Sequence, residues 1–200
     1  MTSSNQTKTD LVAVLQNFSL QYVRQHQQIH AHLPIIEHDD EWLSPCEVSS
    51  KGSENDQSHL SDGQVFWQPV NMDKEQGLNF ENVELALELD LHQDIKAYFT
   101  TFYSESLDAI CEEGELTLLF AWNKDDFQRL QENLIGHVLM KQRLKQEETI
   151  FFAVTDEEDM IISINNNTGS VWVERVGCKP HKKLADSLVQ FINKLEPLVK

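Results

Sequence analysis

Near the start of the chain, Leu11, Leu15, Phe18 and Tyr22 stand at i, i+4, i+7 and i+11, with Val14 beside them. That period predicts an amphipathic helix with Asp10 in or just before its first turn. Residues 31–45 follow no period and contain two prolines, so they read as irregular. Residues 50–63 are polar, carry two glycines and have no period, which predicts a mobile surface loop. A short strand is expected at 65–68, stopped by Pro69. In 80–103, Leu85, Leu87, Leu89 and Leu91 alternate with Glu84, Glu88 and Asp90 as in a strand. Ala, Leu and Glu are better helix formers, however, and two short helices over 80–89 and 93–103 are favoured. Either reading puts Glu84 and Glu88 on one face, and the helical one adds Glu81.

The second half is more regular. Residues 116–122 form an apolar run of strand length. Asn123 has the character of a helix N-cap, with Asp126 three residues on. The helix it opens carries Phe127, Leu130, Leu134 and Val138 on one stripe, and Lys141, Arg143 and Lys145 suit its C-terminal end. Gly136 and His137 interrupt that helix, which suggests a close helix–sheet approach. Strands are predicted at 149–155, 160–164 and 170–176, joined as a meander by turns at 156–159 and 166–169. A last helix is expected over 181–195, with Leu184, Leu188, Phe191 and Leu195 in register and Pro197 ending it. No internal repeat or heptad seam is visible. The order of elements predicts the α+β class: one domain over residues 1–200, with helices packed on a mixed, mostly antiparallel sheet.

Charge changes the picture. The 200 residues carry 33 acids and 16 bases, a formal net charge of −17. Such a balance opposes nucleic-acid backbones and anionic lipid head groups. The longest apolar runs are far short of the ~20 residues that span a bilayer, and the N-terminus lacks the pattern of a signal peptide. Residues 37–115 hold twenty acids and three bases, −17 on their own, while the flanking segments cancel. A solvated face is the plain reading of a charge run. An asymmetry this large also fits the docking surface of a basic partner, which would relieve self-repulsion and be steered in quickly.

Other chemistry is poorly supported. Cys46, Cys111 and Cys178 are odd in number and widely spaced, as expected of free thiols in a reducing compartment. His26 and His30 stand at i, i+4 with His32 and His38 beyond, but HExxH is absent and no third ligand is placed. They read as exposed histidines on a polar face. Asp39, Asp40 and Glu41, and the acids of 156–159, lack the alternation of a calcium loop. No nucleophile elbow, phosphate loop, dinucleotide fingerprint or Cys–His motif is present. No metal, cofactor or catalytic residue is therefore expected. Trp67, Trp122 and Trp172 read as packing residues.

The wording of three long segments, LTLLFAWNKDDFQRLQENLIGHVLMKQRLK (116–145), TIFFAVTDEEDMIISINNNTGSVWVE (149–174) and PHKKLADSLVQFINKLEPL (180–198), closely resembles the Syd family of gammaproteobacteria. SPC at 44–46, FWQPV at 66–70 and NVELALELDLHQDI at 82–95, followed by Phe99, Thr100 and Tyr103, resemble it too. The stretch between Cys46 and Trp67 is longer and more polar than the family pattern. The resemblance implies a cytoplasmic, non-enzymatic protein of the Sufu-like and immunity-protein-like superfamily. It also implies binding to SecY, the channel subunit of the translocation complex, on its cytosolic side, and quality control of improperly assembled SecY. Membrane contact would then be indirect and peripheral, through SecY at the inner membrane. Cytosolic loops of membrane proteins are rich in Lys and Arg, which an acidic groove would match. From charge clustering, the expected partner-binding residues are Asp39, Asp40, Glu41, Glu81, Glu84, Glu88, Asp90, Asp94, Glu112, Glu113 and Glu115, with Glu84 and Glu88 foremost. An immunity-type protein neutralising a basic toxin is the alternative.

Overall fold

The computed structural model of the chain describes residues 3–48, 57–72 and 77–200, with side chains from residue 10 onward apart from residue 57. Helix α1 (Ser3–His30) begins well before the first apolar position, so Asp10 sits inside it and not at its start. Leu11, Leu15 and Phe18 are buried as their spacing requires. Ala31, in left-handed conformation (φ 64°), ends the helix, and β1 (Ile35–Glu37) follows in a stretch expected to be irregular. Of the polar segment 50–63, residues 50–56 lie outside the described residues. Residues Gln57–His59 form a 3-10 turn that leads into β2 (Gln64–Phe66), and β2 pairs antiparallel with β1.

Strand β3 (Val70–Asn71) precedes the two short helices α2 (Glu81–Leu87) and α3 (Gln93–Phe99), confirming helix over strand in this segment. Both are shorter than expected. Glu88 is a left-handed C-cap (φ 49°) that closes α2. The hydroxyls of Thr100 and Thr101 bond back to the carbonyls of Lys96 and Ala97 at 2.7 and 2.6 Å, ending α3. The chain then forms β4 (Phe102–Tyr103), paired with β3.

The remaining strands make one seven-stranded sheet, antiparallel at every pairing rather than mixed. It runs through β5 (Leu107–Cys111), β6 (Gly114–Leu118), β7 (Thr149–Thr155), β8 (Met160–Asn165), β9 (Val171–Arg175) and β10 (Lys182–Ala185) in chain order. Helix α4 (Lys124–Arg143) connects β6 to β7. Of the apolar run 116–122 only 116–118 is strand, the end of β6; Phe120, Ala121 and Trp122 are buried in the connection to α4.

The helix expected over 181–195 is instead β10 and the short α5 (Leu188–Ile192), capped by the Ser187 hydroxyl, with β11 (Glu196–Pro197) just beyond it. Leu184, Leu188, Phe191 and Leu195 are all buried, but Leu184 comes from β10, Leu188 and Phe191 from α5, and Leu195 from the link to β11. Pairing of Lys182 and Lys183 with Val173 and Trp172 takes the first turn of that helix into the sheet. Pro197 lies in β11, which crosses to the far edge and pairs with β5.

Helices α3 and α5 lie against α1, and α2 lies against α4, which itself rests on β7. An aromatic chain ties these layers: Phe127 to Phe80 to Phe99, then Tyr98, stacked on Phe120 at 4.9 Å and edge-on to Phe152, which meets Phe191. Trp67 and Trp122 join the core edge to face, as their strand-like contexts suggested. Gly169 (φ +72°) is required: a Cβ there would lie 2.7 Å from the His92 ring, which covers the β8–β9 turn. Gly136 is different. Its Cβ position opens to free space, so close helix–sheet approach does not explain it.

Candidate functional site

Among the described residues, eight carboxylates gather around the N-terminus of α4. Asn123 caps that helix, accepting a hydrogen bond from the Asp126 N–H at 2.9 Å. The Asp126 carboxylate accepts in return from the Trp122 N–H at 2.9 Å, one residue earlier than in a regular capping box. Both N-terminal donors are thereby satisfied, and Asp125 and Asp126 lie where the helix dipole favours negative charge. The Asn123 amide also donates to the Leu43 carbonyl at 3.0 Å, and the Ser44 hydroxyl donates to the Trp122 carbonyl. These bonds fasten the 38–48 loop over the helix start. The Arg129 guanidinium, 4.0 Å from the Trp42 ring centroid, holds the same loop from the side.

Two cavities flank this clamp. One, about 270 Å³, has walls of Ile36, Trp42, Phe120 and Trp122, with Ser104 and Ser106 beside them. Five carboxylates line it: Glu37, Asp39, Glu47, Glu105 and Asp126. The other, about 560 Å³, is lined by Asp40, Glu41 and Asp125, with Leu43, Pro45, Tyr103, Asn123 and Lys124. Lys124 and Asp125 also border a third hollow, about 530 Å³, that runs between α2 and α4 past Glu81 and Glu132.

Each carboxylate of the first cavity is oriented by an internal donor. Glu37 accepts from the Gln64 amide at 2.8 Å, Asp39 from the Glu41 N–H at 2.8 Å and Glu105 from the Ser106 N–H at 3.1 Å. His38 bridges Glu47 (2.9 Å) and Asp40 (3.1 Å). Those bonds, the one to Asp40 foremost, raise its pKa above the ordinary imidazole value and favour the form that donates from both nitrogens.

The acids expected from charge clustering are distributed over several places. Asp39, Asp40 and Glu41 line the two cavities at the α4 start, and Glu81 lines the third hollow. Glu84 faces its own chain: it pairs with Lys96 at 2.6 Å and accepts from the Leu91 N–H at 2.9 Å. Burial opposes its ionisation, but the bonds from Lys96 and Leu91 outweigh that and hold its pKa low. Glu88 and Asp90 are exposed beyond the end of α2, so Glu88 does not continue the helical face of Glu84. Asp94 is buried with Oδ1 unpaired among the described residues, and burial raises its pKa. Glu112 and Glu113 border a hollow with Lys194 and Glu196 at the β5–β6 turn, and Glu115 pairs with Lys200 at 2.9 Å.

Sequence reasoning did not select Glu37, Glu47, Glu105, Asp125 and Asp126. The last two fall outside the 37–115 window but inside the resemblance segment around Trp122, and Pro45 of SPC at 44–46 lines the second cavity.

His26, His30, His32 and His59 cluster with ring centroids 4.4–5.8 Å apart, closer than exposed histidines on a polar face. Ring nitrogens of His26, His30 and His32 lie at backbone carbonyls, and among the described residues no group of three or more His, Cys, Asp or Glu is arranged to hold a metal ion. Burial pushes the Cys46 thiol up to about 11 and raises Cys111, which disfavours both as nucleophiles. Among the described residues no helix is long and apolar enough to cross a membrane.

The family model described as Syd protein (SUKH-2) matches residues 12–197. The chain is 57% identical to Protein Syd of Colwellia psychrerythraea over 202 residues, 98% of this chain and 95% of that protein. It is 48% identical to Protein Syd of Alteromonas mediterranea over 164 residues, 82% and 84% of the two chains. Against Protein Syd of Aliivibrio fischeri it is 39% identical over 185 residues, 92% of this chain and 94% of that one.

Proposed function

This chain belongs to the Syd family, and on that premise we propose that it binds SecY at the cytosolic face of the inner membrane and acts in SecY quality control, with the acidic surface at the α4 N-terminus receiving basic SecY loops. The observation that carries this reading is the gathering of eight carboxylates around two adjoining cavities whose lining includes one lysine, Lys124. Basic cytosolic loops are the complementary surface on a membrane protein. The protein itself performs no reaction on this reading. It holds its partner by charge-assisted hydrogen bonds, fast in forming and sensitive to salt. Membrane association is peripheral and runs through SecY.

The test is retention of SecY from detergent-solubilised membranes by the immobilised protein. The double reversal Asp39→Lys/Glu41→Lys is compared with Glu112→Lys/Glu113→Lys, which alters net charge identically at the β5–β6 turn. Exposed pairs are each worth ~0–1 kcal/mol, so the first double reversal is expected to weaken retention about tenfold and the second much less. Equal losses would remove the assignment to this face. Salt-insensitive retention would remove the electrostatic mechanism. Capture of a soluble basic toxin with no retention of SecY would replace the partner.

A further inference from the structure

The lining of the smaller cavity says more about its occupant than charge does. A surface built only to attract cations needs carboxylates in water, yet here Trp42, Trp122 and Phe120 form walls behind the acids. Trp122 and Phe120 are buried. Building on the reading of this face as the partner's docking surface, we infer that the cavity is a socket for a single arginine side chain of the bound segment, its guanidinium set against the indoles and bonded by the surrounding carboxylates.

Four observations converge on a guanidinium. The Ser104 side chain is fully buried, borders the cavity, and its hydroxyl has no hydrogen-bond partner among the described residues. An orphan of that kind is costly unless something fills it, and a ligand N–H would do so. The five carboxylates are each fixed through an internal bond. No second internal partner engages the other oxygens of Glu37, Glu105 and Asp126 among the described residues, so they stand as pre-oriented acceptors. No lysine or arginine lines the cavity, so its charge is not neutralised from within. Trp42 already carries one guanidinium, that of Arg129, which lies outside the cavity lining.

Alternatives fit less well. An anion would meet five carboxylates. A divalent cation finds no suitable ligand group among the described residues. A lysine ammonium is compact and strongly hydrated, and gains less from aromatic walls. A planar guanidinium is weakly hydrated, stacks on indole faces and offers five donors in a fork that matches carboxylates.

The experiment titrates acetyl-Gly-Gly-Arg-Gly-Gly amide, and its lysine and citrulline counterparts, into the full chain. The indole N–H resonances of the four tryptophans are followed by NMR. The arginine peptide is expected to shift Trp42 and Trp122 but not Trp172, to bind on the order of tenfold more tightly than the lysine peptide, and to lose most of that advantage in Glu105→Gln and in Trp42→Leu. Citrulline, which lacks the charge, should not bind. Equal binding of the arginine and lysine peptides, or shifts elsewhere than Trp42 and Trp122, would overturn the socket and leave the acidic-face reading intact. No binding of any peptide by a chain that still retains SecY would do the same. Failure of both peptide binding and SecY retention would remove the broader reading as well.

Discussion

Lys141 lies in the last turn of α4, where a cation ordinarily reaches water and complements the helix dipole. Here its ammonium is fully buried, 2.7 Å from Glu174 and 2.9 Å from the Cys178 carbonyl. The second Glu174 oxygen accepts from the Thr149 hydroxyl at 2.6 Å, and that hydroxyl meets His137 at 3.2 Å. Burial outweighs the neighbouring carboxylate and keeps His137 below its ordinary pKa, so the network holds one cation, one anion and a neutral ring near neutral pH. Removing one member of such a pair strands the other. Lys141→Met should cost about 3–5 kcal/mol, while Lys141→Met/Glu174→Leu should recover most of it. Urea denaturation of both variants checks this, and a single variant within about 1 kcal/mol of wild type would contradict it. Half of the arrangement is legible beforehand. Phe127, Leu134, Val138 and Lys141 continue one i, i+3/i+4 stripe, so Lys141 stands on the buried face by position alone. Its partner lies 33 residues away on β9, and nothing local to either residue announces the other.

At the scale of elements, Asn123 does two jobs that substitution can separate. Its side-chain oxygen caps α4, while its amide nitrogen tethers the 38–48 loop through the Leu43 carbonyl. Asn123→Ser keeps a cap and removes the tether, whereas Asn123→Ala removes both. The serine variant should melt near wild type, and the alanine variant should lose about 1 kcal/mol further. Both should weaken SecY retention, because Asp39, Asp40 and Glu41 ride on the freed loop. Thermal melts and the retention assay, run on the same proteins, decide it; a serine variant with unchanged retention would show that the tether does not position the acids. The cap itself was readable from Asn123 and Asp126, because capping is a relation within four residues. The tether was not, since it joins segments eighty residues apart. The same distinction explains the C-terminal segment. Leu184, Leu188, Phe191 and Leu195 have helical spacing and are buried, but pairing with β9 takes the start of that pattern into the sheet, and pairing with β5 takes the residues just after its end. Competition of this kind lies in tertiary context, beyond any local period.

For the whole molecule, the imbalance of 37–115 is a property of sequence that folding redistributes. Glu84 and Glu115 are tied to Lys96 and Lys200, and Asp94 is buried. Asp125 and Asp126 arrive from another window to stand beside Asp39–Glu41. Counting charge along the chain therefore found that an acidic surface exists and part of where it lies. Its shape depends on the clamp between the 38–48 loop and α4, which no window contains. The gathered acids have a cost: like charges held near one another repel, and at −17 that repulsion opposes the compact state. Salt should then act in opposite directions on stability and on binding. Raising sodium chloride from about 0.01 to 0.15 M shortens the screening length from about 30 to 8 Å. Repulsion among acids at the cavities is weakened, and the melting temperature should rise by a few degrees. Over the same range the attraction of basic loops is screened, and SecY retention should fall. Melting curves and retention measured in one salt series would establish the pairing. A melting temperature that falls with salt would mean that exposed ion pairs such as Lys183–Asp186 and Lys200–Glu115 outweigh the repulsion. The acidic face would then be a surface the fold carries without strain, with nothing for a basic partner to relieve.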